Sequence, residues 1–321
     1  MRKEDLRIVF MGTPEFAVAT LQALVDGGYN VVCVVTQPDK PVGKHHHTLQ
    51  PPAVKVCARQ HGIPVLQPER MKDENFLKEL GEYSPDVQVV VAFRMLPEVV
   101  WALPRFGTFN VHAALLPQYR GAAPINWAII NGEERTGVTT FFIDHDIDTG
   151  RIIMQREMPI GPEDNVETVY DGLMKLGAEI AIETIDRLIE GNGVVGSIPQ
   201  EQMTDAAGHL HDAPKLFKGN CMINWEMSAG RVHDLIRGLS PVPGAWSPFG
   251  SDARHTIKIY GSRVTGVKTD MSPGTFFSHQ GRLMASAGGE MLELTEVQLS
   301  GKRRMAARDF LNGMKASIEE V

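Results

Sequence analysis

In the stretch FNVHAALLPQYRGAAP, residues 109–124, Asn110 and His112 stand two positions apart at the end of an apolar run. Period-two spacing puts both side chains on one face of a strand, here where the chain leaves it. An amide and an imidazole so placed could supply a hydrogen-bond donor to a developing negative charge and an acid–base group. The plainer reading is that His112 closes the strand and Asn110 holds a turn. A third group alters the balance. In FFIDHDIDTGRII, residues 141–153, a strand ends in Asp144, Asp146 and Asp148 at alternate positions. Calcium loops use such carboxylates, but their closing glutamate falls at Gln155 when Asp144 is counted first, so no metal is expected. A carboxylate here can instead orient the His112 imidazole or take a proton. No Ser or Cys stands beside His112, which suits chemistry without a covalent enzyme intermediate.

These groups need a sheet to bring them together. LRIVFMG (6–12), NVVCVVTQ (30–37), DVQVVVAF (86–93) and GTFNVH (107–112) read as strands, several of them apolar on both faces. They alternate with helical patterns in TPEFAVATLQALVDGG, where Thr13 is a candidate cap, in PPAVKVCARQHG and in DENFLKELGEYS. Alternation of this kind implies a Rossmann-like, mostly parallel sheet covered on both sides. Ligands of such sheets sit at the carboxyl ends of the strands, where Asn110 and His112 lie. Between His112 and Asp148 there is room for one helix and one strand, returning the chain to the same edge of the sheet. The first turn, GTPEF, has only Gly12 of the dinucleotide fingerprint and carries Glu15 where phosphate would be repelled, so NAD and FAD are not expected.

A long amphipathic helix is expected within 164–191, then an aperiodic, turn-rich linker over 191–212. Beyond it, INWEMSAGRVHDLIRGL reads as a helix, followed by short strands. The boundaries are thus 1–190 for a catalytic domain, 191–212 for a linker and 213–321 for a small β domain. Net charge is −7, but residues 210–321 hold 14 Lys and Arg against 11 Asp and Glu, leaving the acidity in the front part. Three well-separated cysteines suit reduced, buried thiols in a cytoplasmic protein. No apolar run reaches membrane-spanning length, and the charged opening lacks a secretory cleavage site.

The stretch NVHAALLPQYRGAAPINWAI…GVTTFFIDHDIDTG resembles the core of the folate-dependent formyltransferase family, N-x-H-x-S-L-L-P-x-Y-R-G followed by D-x-G-x-D-T-G. The resemblance implies transfer of a formyl group from 10-formyltetrahydrofolate to an amine, with Asn110, His112 and Asp148 catalytic. It also implies a folate site built from Phe93, Arg94, Leu96, Ala114, Leu115, Leu116 and Pro117. RIVFMGTPEFAVATLQAL, VVTQPDKPVGK, LIRGLSPVPGAWSPF and GKRRMAARDFLNG resemble the members that act on methionyl-tRNA. The implied partner is therefore initiator methionyl-tRNA, taken up by a monomer whose second domain is an OB-like barrel. Lys40 and Lys44 in the loop 39–50, and Lys302, Arg303 and Arg304, become the candidates for phosphate contact.

Four departures stand out. Ala114 replaces the usual Ser, Arg94-Met95 stand where a glycine is usual, Lys44-His45-His46-His47 replace a more basic loop, and Val242 replaces a Trp. Two other readings stay open: formylation of an amino-sugar nucleotide, and a non-catalytic RNA-binding module with a relic core.

Overall fold

Runs that are apolar on both faces become the middle of a seven-stranded sheet. The structure, a computed structural model, describes residues 1–42, 48–203, 209–250, 255–314 and 318. Its strands are β1 (Ile8–Gly12), β2 (Val31–Val35), β3 (Val65–Leu66), β4 (Val87–Val91), β5 (Thr108–His112), β6 (Arg135–Phe142) and β7 (Ile152–Pro159). Their spatial order is β7-β6-β5-β4-β1-β2-β3. Pairing is parallel from β3 through β5, and β6 then runs antiparallel to β5. Every residue of β1 and of β4 is buried, which is why their sequences do not alternate.

Helices α1 (Glu15–Asp26), α2 (Ala53–Gln60) and α3 (Glu74–Glu82) link the early strands, and a short α4 (Glu98–Trp101) follows β4. The N-cap of α1 is Pro14, not Thr13, and no side chain bonds there. A Cβ on Gly12 would lie 2.6 Å from that of Ala17, so this glycine lets the helix approach the strand end. Cys33, Leu80, Val90, Leu96 and Val100 share the core beneath.

The polypeptide forms two compact units that interleave along the sequence. One comprises Met1–Gly121, Thr136–Met158 and Tyr170–Asp212; the other comprises Ala122–Arg135, Pro159–Val169 and Ala213–Val321. Helix α6 (Val166–Glu190) starts in the second and continues in the first. The stretch expected as a linker, 191–212, thus packs with the sheet unit, while α5 (Pro124–Ile130) belongs with the carboxyl-terminal part.

That second unit carries α7 (Ala229–Leu239), an antiparallel sheet of β8 (Ala245–Phe249), β9 (His255–Lys268), β10 (Phe276–His279), β11 (Arg282–Ala287) and β12 (Glu290–Leu299), with Met305–Ala306 added to β12, and α8 (Ala307–Met314). Helix α7 starts later than its sequence pattern suggests: Ser228 caps it, and Ile223 instead donates its N–H to the Trp246 carbonyl. Gly238 fits α7 against α5, since a Cβ there would lie 2.6 Å from Ile130. Buried His233 bonds Ser262 and the Pro162 carbonyl, and Arg237 donates to the carbonyls of Gly161 and Asp164. These polar ties bind the inserted segments to α7, and no hydrophobic pattern announces them.

All three cysteines are free and buried, and burial raises each thiol, that of Cys33 to about 12. We predict negligible reaction with a thiol-directed reagent at neutral pH in the native state and full labelling in denaturant. Fast native labelling of Cys33 would contradict this packing.

Candidate active site

Strand β5 brings Asn110 and His112 to one face as the period of two requires, with Val90 and Phe141 flanking Asn110 and Thr139 opposite His112. The Asn110 amide makes no side-chain hydrogen bond among the described residues and keeps partial exposure. His112 is only 6% exposed, and its ring meets Phe141 edge-on. Its Nε2 lies 2.9 Å from the Tyr119 carbonyl oxygen. A carbonyl only accepts, so Nε2 carries hydrogen and the open nitrogen is Nδ1. That nitrogen faces Asp148 Oδ2 at 3.7 Å, beyond direct hydrogen bonding.

The expected route to this meeting differs in detail. Because β6 is antiparallel to β5, Phe142 pairs with Phe109, at the end of β5 away from His112. The loop 143–150 brings the chain back. Asp148 adopts a left-handed backbone, φ 56°, which Asp tolerates better than most residues. Its Oδ2 accepts the Gly121 N–H at 2.9 Å. Gly150 passes so close to β6 that a Cβ would sit 1.6 Å from the Phe142 carbonyl oxygen, which accounts for glycine in this motif. Asp144 closes the loop on itself, accepting from the Asp146 N–H and the Thr149 hydroxyl. Among the described residues no three His, Cys, Asp or Glu side chains gather as a metal site would need.

The orientation of His112 therefore comes from a backbone carbonyl, not from Asp148 as the sequence suggests. Gln200 is a further residue that the motifs do not flag. It is 1% exposed and donates to the carbonyls of Asp148 and Gly150, both at 2.8 Å. Its only sequence signal is a polar residue after Pro199 in a stretch otherwise lacking periodicity.

The segments 92–97 and 113–121 leave neighbouring strand ends, since Val91 pairs with Val111. The backbone of Phe93–Leu96 makes no hydrogen bond among the described residues. Leu96 itself lies in the core, Phe93 packs partly against it, and Arg94 donates to the Pro68 and Glu69 carbonyls, strapping this segment down in place of the usual glycine. Of the second segment, Ala114, Leu116 and Pro117 are buried and Leu115 stays partly exposed over Gly137. Leu116 packs with Phe141 and Ile152, so its side chain belongs to the core and does not offer an apolar lining. Thr139 donates to the Ala114 carbonyl at 2.7 Å and accepts the Leu116 N–H, while Gln155 donates to the Leu116 carbonyl.

Lys40 is exposed on a hairpin, Lys40–Val42 with Thr48–Gln50, whose base is fixed by the buried Lys55 on Asp39. Lys44 and the three histidines lie outside the described residues. Lys302 and Arg303 are exposed with no ion pair among the described residues, whereas Arg304 pairs with Glu296 at 2.5 Å and covers the Tyr260 ring.

A Rossmann-like core with an amide, an imidazole and a carboxylate at a strand end, joined to an antiparallel β unit, defines a class. The pattern of the family described as formyl transferase matches residues 6–185, and that of the formyl transferase C-terminal domain matches 215–315. This chain belongs to the formyltransferase family. A methionyl-tRNA formyltransferase of Parabacteroides distasonis is 53% identical over 99% of both chains. One of Bacteroides fragilis is 52% identical over 98% of this chain and 96% of that one. Among solved structures, the N-formyltransferase of Helicobacter canadensis, in complex with folinic acid and dTDP-3-aminofucose, shares the fold with a TM-score of 0.66. It is 20% identical, covering 90% of this chain and 98% of that one.

Thr139 is fully buried. We predict that Thr139→Val, which strands the Leu116 N–H, destabilises the protein by about 1–3 kcal/mol, read from denaturant unfolding. An unchanged midpoint would refute this account of the 114–117 turn.

Proposed function

We propose that this chain transfers the formyl group of 10-formyltetrahydrofolate to the amino group of initiator methionyl-tRNA in the cytoplasm. The observation that carries the chemistry is the open Nδ1 of His112 facing Asp148, on the strand face shared with an Asn110 amide that has no side-chain hydrogen bond among the described residues. The choice of amine rests on whole-length relatives of that name, about half identical.

Folate use is supported by the family and by the backbone of Phe93–Leu96, whose groups take no hydrogen bond among the described residues and could meet the polar edge of a pterin. When bound, the folate supplies a formyl carbon already attached to nitrogen. The Asn110 amide donates to the formyl oxygen as negative charge develops there. His112 Nδ1 accepts the proton that the amine loses on attack. The imidazolium so formed lies between the Tyr119 carbonyl and the Asp148 carboxylate, both of which stabilise its charge. It returns the proton to the departing folate nitrogen, so no net proton is gained or lost by the protein.

On the RNA side, Lys40, Lys302 and Arg303 are exposed cations without an ion pair among the described residues and so suited to phosphate, and Lys44 stays a candidate by sequence alone. Arg304 is a weaker candidate, because Glu296 already opposes its charge. Trp246, with Lys218 over its ring, and Lys258 opposite it extend the same basic and aromatic character across β8 and β9.

Three outcomes are expected. Formyl-methionyl-tRNA forms from 10-formyltetrahydrofolate while an amino-sugar nucleotide offered alongside stays unmodified; the reverse result would sink the proposal. Asn110→Ala lowers kcat by ~10²–10³ with folate binding largely kept, and single-turnover formylation near the normal rate would remove Asn110 from the mechanism. Affinity for tRNA falls steeply with salt, and the double substitution Lys302→Ala with Arg303→Ala reduces the log–log slope by about two. A slope unchanged by that pair would exclude them from phosphate contact.

A further inference from the structure

We propose that Gln200 is a positioning residue for formyl transfer, clamping the turn that presents Asp148; the inference rests on the function proposed above. Helix α6 is followed by a stretch with no helical or strand period, yet two residues of it anneal to the sheet unit. Ile198 exchanges both backbone hydrogen bonds with Ile152 at 2.8 Å, and Arg151 Nε donates to the Ser197 hydroxyl. This short pairing lays Gln200 beside the 148–150 turn.

The Gln200 amide then uses both of its donors and its acceptor. Its two hydrogens go to the Asp148 and Gly150 carbonyls, and its oxygen accepts from Arg120 Nε at 3.0 Å and Nη2 at 2.6 Å. The turn needs such a clamp. Asp148 has positive φ, and Gly150 is pressed against β6, so neither carbonyl is offered to a regular ladder. Arg120 in turn precedes Gly121, whose N–H holds the Asp148 carboxylate. One buried amide therefore restrains Asp148 twice, through its own main chain and through the residue next to its carboxylate's donor. Gln200 has no free hydrogen left for substrate, so its effect must pass through Asp148.

Two near-isosteric substitutions test this. Gln200→Glu keeps an acceptor for Arg120 and loses both hydrogens for the carbonyls; Gln200→Met keeps volume alone. Both are expected to lower kcat by roughly 10–10²-fold, the scale of a small misplacement of a reacting group, with KM for folate and for methionyl-tRNA nearly unchanged. Gln200→Asn, which keeps the amide on a shorter arm, should lie between them and the wild type. Bound folate, followed by fluorescence, reports that each variant is folded. Wild-type kcat in a folded Glu or Met variant, or a loss carried by KM, overturns the proposal, as does loss of folate binding in all three. Wild-type enzyme is assayed alongside: if it fails to formylate methionyl-tRNA, the functional reading is what falls.

Discussion

The hydrogen bond from His112 Nε2 to the Tyr119 carbonyl fixes which nitrogen of the imidazole is available, and the proposed chemistry depends on that choice. Tyr119 lies in the left-handed region, φ 61°, and its own N–H is held by the His211 carbonyl. Two residues further on, Gly121 holds Asp148. A single turn, 113–121, thus sets both partners of the proposed catalytic pair without requiring them to touch. The 3.7 Å between them is a spacing imposed by the backbone of this turn.

Much of this was legible in residue types. Asn110 and His112 declare themselves by a period of two at a strand end, and the uninterrupted apolar runs of β1 and β4 announce a sheet covered on both faces. Asp148 stands out through the Thr149-Gly150 that follows it, and the glycine's role is visible once the chain is seen grazing Phe142. What stayed hidden has a common cause. The acceptor that orients His112 is a main-chain carbonyl, which every residue possesses. Gln200 acts through contacts 50 and 80 positions away, and no local pattern records such distances. Leu116 looks like a lining residue because apolar loop residues often are, but Phe141 and Ile152 claim it for the core.

Charge patterns were legible only in part for a related reason. GKRR reads as a run of like cations, yet β12 supplies Glu296 to Arg304 just before Met305–Ala306 pair with that strand, and the Tyr260 ring also lies under the guanidinium. Effective positive charge at that corner is set by cross-strand neighbours as much as by the run itself. The same holds at Asp39, where hydrogen bonds from Gln67 and Lys55 hold its carboxyl below the usual range and tie down the base of the hairpin bearing Lys40.

The interleaving of the two units along the polypeptide has a consequence for how such proteins can be recombined. Because 122–135 and 159–169 pack with α7 through Gly238, His233 and Arg237, a cut anywhere in 191–212 separates them from their partners. A swap of carboxyl-terminal halves between relatives must carry these two inserts along, making the exchangeable module discontinuous. The two units are in that sense inherited together, since the same stretch that leaves the sheet after Gly121 enters the other unit.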